Sequence, residues 1–78
     1  MSEVEKFKDK LLVANERVEI GPVFYDPATF SFIRNIKIDG KRVRFEQQVI
    51  FADNLTAEQI EDQIVDIINN WIIMNGVV

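Results

Sequence analysis

The sequence predicts an α+β domain of αβββα order: a three-stranded antiparallel meander with N- and C-terminal helices packed on one face. Three observations predict it. Apolar residues recur at helical spacing at both ends of the chain, they alternate with polar residues through the middle, and Asp39-Gly40 separates two alternating runs. With 78 residues, 47% of them hydrophobic, the chain is expected to be a single domain, 1-78, built on one core.

The first helix is expected to begin at Ser2, where Ser2-Glu3-Val4-Glu5 reads as a capping box. Val4, Phe7, Leu11 and Ala14 then form one apolar stripe on a charged helix, which should end near Asn15. From Arg17 the period becomes two, through Val18 and Ile20 to Val23, Phe24 and Tyr25. Gly21-Pro22 inside this run marks a bulge or an edge strand, because proline has no N–H to give a ladder. Asp26-Pro27-Ala28 reads as a turn.

Thr29 to Ile38 alternates, with Phe30, Phe32, Ile36 and Ile38 on one face. Asp39-Gly40 has the composition of a two-residue type I′ turn. That turn sets the register: Ile38 opposite Lys41, Ile36 opposite Val43, Phe32 opposite Gln47 and Phe30 opposite Val49. Val43, Phe45, Val49 and Phe51 then share the phenylalanine face. Arg34 and Gln47 interrupt that face. A bulge near Arg34-Asn35 would turn them outward; the sharper alternative is a buried polar pair, at a subunit interface.

The last helix opens with a second capping box, Thr56-Ala57-Glu58-Gln59, flanked by Leu55 and Ile60 as a hydrophobic staple. Ile60, Ile64, Ile67, Trp71 and Met74 form its stripe, widened by Val65, Ile68 and Ile72, and Gly76 is placed to end it. This is more apolar surface than one face of a three-stranded sheet needs. A homodimer or larger assembly is therefore expected, with Ile68, Ile72, Ile73 and Val77 as interface candidates.

Composition narrows the chemistry. Without Cys there are no disulfides, iron–sulfur clusters or thiolate zinc sites, and without His the common zinc and haem sites are lost as well. No cofactor and no metal are expected. The remaining acids, bases and nucleophiles are carboxylates, lysines, Tyr25 and four hydroxyl residues, two of which (Ser2 and Thr56) serve as helix caps. The expectation is a protein that is not an enzyme, an active site assembled between subunits around carboxylates and Tyr25 being the competing case. Met1 to Lys10 mixes acids and lysines in the manner of no signal peptide, and the run Trp71 to Met74 is too short to span a bilayer. A cytoplasmic location without membrane contact is expected.

Charge is unevenly spread over a chain of net −4. Arg34, Lys37, Lys41, Arg42 and Arg44 gather on the central hairpin, whereas Ala52 to Val78 holds five acids and no Lys or Arg. Glu58, Asp62 and Asp66 recur every fourth residue on the last helix, where like charges repel by about 0.2–0.5 kcal/mol per pair. This row is a candidate surface for a basic partner; the competing reading is a solvated face. Lys37, Arg42 and Arg44 on the outer sheet face are candidates for phosphate contact, against the competing role of guarding an exposed sheet. The sequence thus points to a small interaction or regulatory module acting through protein–protein contacts and self-association. A nucleic-acid binder using the Lys37-Arg44 hairpin, and a small acidic inhibitor of the kind phages and mobile elements encode, are the alternatives.

The αβββα order resembles that of the double-stranded-RNA-binding domain, in which a Gly-Pro follows the first strand and an aromatic opens the second, as Gly21-Pro22 and Phe30 do here at longer spacing. The resemblance stops at the last helix. Where that family has lysines, this chain reads Leu55-Thr56-Ala57-Glu58-Gln59-Ile60-Glu61-Asp62, and its acids would repel the phosphates the family grips.

Overall fold

The computed structural model describes residues 3–49 and 54–78. The element order is α1 (Glu3–Asp9), a 3-10 turn (Asn15–Arg17), β1 (Val18–Asp26), β2 (Ser31–Ile38), β3 (Lys41–Gln48) and α2 (Ala57–Met74), an α+β arrangement. The three strands form one antiparallel sheet in the order β1-β2-β3. The expected Ser2 cap and the inward Phe51 lie outside the described residues, as does the side chain of Val4.

The hairpin follows from its turn. Asp39 and Gly40 have φ of 52° and 82°, the left-handed pair that a type I′ turn requires. The register is the one the turn dictates: Ile38 faces Lys41, Ile36 faces Val43 and Phe32 faces Gln47. The turn is also braced from outside. Arg17 donates from Nε and Nη2 to the two carboxylate oxygens of Asp39 at 2.8 and 2.6 Å, and from Nη2 to the Val77 carbonyl at 3.1 Å. This hydrogen-bonded fork holds the Asp39 carboxyl below its ordinary range and raises the Arg17 guanidinium.

α2 begins and ends with full capping. Gln59 N donates to Thr56 Oγ1 at 3.1 Å and Thr56 N donates to Gln59 Oε1 at 2.8 Å, the reciprocal pair of a capping box. At the other end Gly76 takes φ 65°, Gly76 N donates to the Ile73 carbonyl and Val77 N to the Ile72 carbonyl. That is a Schellman motif, and Val77 packs against the core as its hydrophobic residue.

One core cluster joins Phe7, Leu11 and Val13, the sheet residues Val18, Ile36, Ile38 and Phe45, and Ile64, Val65, Ile68 and Ile72 of α2. Trp71 meets Phe45 edge-on with ring centres 5.9 Å apart. Three sequence expectations are corrected here. α1 ends at Asp9, not near Asn15, because Lys10 N and Leu11 N bond to carbonyls three residues back and close the helix. Leu11 and Val13 reach the core from the non-helical segment that follows, strapped to α2: Leu12 N donates to Asn69 Oδ1 at 3.0 Å and Asn69 Nδ2 to the Lys10 carbonyl at 3.2 Å.

The second correction concerns the bulge. It lies between Ile20 and Val23 of β1, at the Gly21-Pro22 that the sequence marks, and no bulge displaces Arg34-Asn35. Arg34 and Gln47 therefore stay on the inner face. Arg34 Cζ sits 4.3 Å from the centre of the Phe7 ring, and buried Gln47 donates from Nε2 to Gln63 Oε1 at 2.5 Å. Burial pulls the Arg34 guanidinium below its ordinary value, and the Glu61 carboxylate opposes that pull. Third, Phe30 is not an inward strand residue. It closes the β1–β2 turn at φ 53° and is 52% exposed.

Candidate functional site

The bulge decides what β1 shows to its surroundings. Val18 and Ile20 pair with Ile38 and Ile36 on the inner face, so even-numbered residues point inward there. Beyond the bulge the pairs are Val23 with Arg34, Phe24 with Ile33 and Tyr25 with Phe32, so the odd-numbered residues point inward and Phe24 is turned to the outer face. Gly21 is what permits the offset. A Cβ on Gly21 would lie 2.6 Å from the Asn35 carbonyl oxygen, so the two backbones approach as closely as only glycine allows.

The outcome is an apolar end to the sheet. Val23, Phe24 and Tyr25 are 44%, 54% and 48% exposed, on a strand that is the edge of the sheet. The Tyr25 ring leans on Phe32 with centroids 5.1 Å apart, and Phe24 stands opposite buried Ile33 on the outer face. Phe30 adds a further exposed ring in the turn. Asp26 Oδ1 accepts from Ala28 N at 2.9 Å and holds that turn. A left-handed backbone at a non-glycine residue costs about 1–2 kcal/mol, and the exposed Phe30 side chain does not recover that through burial within the chain.

The surfaces singled out from sequence fare differently. The acidic row on α2 is interrupted: Lys10 Nζ lies 3.0 Å from Asp62 and 3.8 Å from Glu61, and these contacts raise the Lys10 ammonium. Glu58, Asp62 and Asp66 are all exposed, but Asp62 is paired with Lys10 and so is not a bare carboxylate. Lys37, Arg42 and Arg44 do share the outer face, with Lys37 directly opposite Arg42. Lys37 is 3.8 Å from Glu19 and Arg44 is 2.7 Å from Glu46, while Arg42 has no ion pair among the described residues. A hollow of about 460 Å³ lies beside them at the bulge, lined by Glu19, Gly21, Pro22, Asn35, Lys37 and Arg42.

Of the expected assembly contacts, Ile68 and Ile72 are wholly buried in the chain's own core. The sheet and the α1 segment cover Ile68 and Ile72, while Ile67, Ile73 and Met74 of the same helix stay exposed. Val77 is half-buried against the same core, leaving Ile73, 57% exposed, as the one of the four on the surface. A smaller hollow of about 190 Å³ opens between sheet and α2, with Val23, Phe32, Arg34, Gln47 and Glu61 in its wall. Its volume is below the roughly 300–1,000 Å³ typical of small-molecule sites.

Sequence reasoning marked a bulge or an edge at Gly21-Pro22 but did not single out Val23, Phe24 and Tyr25 as an exposed surface. The signal was present: three consecutive apolar residues after a Gly-Pro cannot all point to one side of a strand, so at least one must face outward. No helix among the described residues is long and apolar enough to cross a membrane. No protein-family model, characterised protein or solved structure matches this chain.

Proposed function

We propose that the protein is a small non-enzymatic interaction module that makes its protein–protein contacts through the β1 edge and the adjoining turn. The observation that carries the reading is Phe30, an exposed aromatic held in a left-handed backbone beside the exposed Val23-Phe24-Tyr25 run. Asparagine or glycine would fill that turn position at lower cost, and strain of this kind gathers at working surfaces. From Val23 to Tyr25 the sheet edge carries no charge, the usual guard against pairing with another strand. A photocrosslinking aromatic placed at Phe30, at Arg44 and at Asp66 in turn, followed by irradiation in native lysate, tests the reading. Protein adducts should form from Phe30 and not from the other two. Adducts from Arg44 or Asp66 alone would move the function to the basic or acidic surface.

A second reading, nucleic-acid binding by the outer face, is favoured by one feature: Arg42, with no ion pair among the described residues, stands opposite Lys37 beside the bulge hollow. Glutamine at Lys37, Arg42 and Arg44 together should then abolish a salt-sensitive mobility shift of DNA or RNA. Absence of any shift by the unmutated protein at low salt rejects this reading.

A further inference from the structure

We propose that the β1 edge is occupied by a second copy of this chain, paired antiparallel about a two-fold axis at Phe24, so that two three-stranded sheets join into one of six. This rests on the reading of the β1 edge as a contact surface and adds the partner and the register.

The argument starts at the Asp39-Gly40 turn. Ile38 and Lys41 flank a two-residue turn and so form a hydrogen-bonded pair, which directs the peptide groups of even-numbered β2 residues toward β3. Val49 N donating to the Phe30 carbonyl at 2.8 Å shows the same parity at the far end. The odd-numbered residues Ser31 and Ile33 therefore bond to β1, at their partners Asp26 and Phe24. It follows that the N–H and C=O groups of Val23 and Tyr25 point off the sheet at the open edge.

A second β1 offers the same groups at the same spacing. With Phe24 opposite Phe24 of the other copy, Val23 and Tyr25 of each chain face Tyr25 and Val23 of the other, and each pair exchanges two backbone hydrogen bonds. Side-chain parity agrees. Val23 and Tyr25 lie on the inner face in both copies, forming the aromatic–β-branched neighbours that stabilise sheets. The two Phe24 rings meet on the outer face in a non-hydrogen-bonded position, where side chains stand closest. Registers two residues away fail. With Val23 on the axis, Tyr25 would meet Gly21 inside the bulge; with Tyr25 on the axis, Val23 would meet Pro27, which has no N–H to donate.

Charge selects the same edge. The opposite edge strand carries exposed Lys41, Arg42, Arg44 and Glu46, a net positive row that two copies of β3 would bring together. Val23 to Tyr25 has no charge, and Asp26 falls opposite Pro22, so β1 meets no such repulsion. A two-fold contact of this kind is closed and stops at the dimer. Two hydrogen-bonded pairs and a few side chains make a small interface, so the dimer should form reversibly and be read at high protein concentration.

Sedimentation equilibrium of the purified protein should show the weight-average mass rising toward twice the chain mass as concentration increases. Phe24→Lys and Phe24→Glu, each placing like charges together on the axis, should stay monomeric, and an equimolar mixture of the two should dimerise again. The chain has no cysteine, so a Phe24→Cys variant offers a second measurement that tolerates loss of affinity. Under mild oxidation it should give a covalent dimer, and Arg44→Cys should not. A monomer at every concentration that also fails to cross-link through Phe24→Cys overturns the proposal, as does a dimer that ignores both charge variants. Phe30 adducts of other masses, with the protein itself monomeric, would leave the contact-surface reading standing and remove self-pairing. Absence of any Phe30 adduct, with the protein monomeric at every concentration, removes both.

Discussion

Replacing Gly21 by alanine tests whether the bulge depends on backbone proximity. The Cβ would sit 2.6 Å from the Asn35 carbonyl oxygen, 0.4 Å inside the 3.0 Å limit that real Cβ atoms essentially never cross. The obstructing atom is backbone, so the strands must separate locally. Overpacking of this kind costs about 1–3 kcal/mol, while alanine stiffens the unfolded chain and returns about 0.4–1 kcal/mol. The net loss is about 1–2 kcal/mol, against a total of about 4–12 kcal/mol for a chain of this length. For small domains each 1 kcal/mol lowers Tm by about 4–8 °C, so Gly21→Ala should melt about 4–16 °C below the parent. Gly40 supplies the contrast. It has φ 82° and open space where a Cβ would go, so its substitution cost is backbone conformation alone. Asparagine, which tolerates that conformation, should rescue Gly40→Ala and should not rescue Gly21→Ala. Thermal melts by circular dichroism read both pairs. A Gly21→Ala protein that melts at or above the parent temperature refutes the proximity argument.

Two further outcomes follow from burial and charge. Ile72→Ala should cost about 2–5 kcal/mol in urea unfolding, and Ile73→Ala, one residue on but exposed, should fall within about 0.5 kcal/mol of the parent; equal losses would contradict the helix orientation. Asp39 has its pKa depressed below 3.8 by Arg17, so the contact stabilises the fold above that pH and is lost as pH falls through the folded pKa. The Tm difference between the parent and Asp39→Asn should therefore be present at pH 7 and close below pH 3.8; a difference that persists in acid would place the effect elsewhere.

The parts of the fold legible in the sequence are those governed by local chemistry. Asp39-Gly40 set the β2–β3 register through its turn geometry, and Thr56 with Gln59 set the start of α2. What was not legible depended on contacts between distant segments. The stripe Phe7, Leu11, Ala14 reads as helix, yet bonds from Asn69, more than fifty residues away, favour an irregular segment that buries Leu11 and Val13 instead. Arg34 looked misplaced inside a sheet because its partner, the Phe7 ring, comes from α1. Ile68 and Ile72 looked surplus because the α1 segment's share of the core could not be counted from periodicity. The β1 edge was hidden for a related reason: Gly21-Pro22 announces a bulge but not its offset, and the offset decides which of Val23, Phe24 and Tyr25 faces outward.

The strap between the N-terminal segment and α2 has a consequence for how the chain finds its fold. Its bonds, Lys10 to Asp62, Leu12 to Asn69 and Asn69 to Lys10, join residues 52 to 59 positions apart. The β2–β3 hairpin closes across two residues and α2 caps itself, so both can form from neighbours alone. We therefore expect the hairpin and α2 to appear early and the N-terminal segment to dock last, after the long loop has been closed for it. On that order, substitutions at Asn69 should speed unfolding and leave the folding rate nearly unchanged.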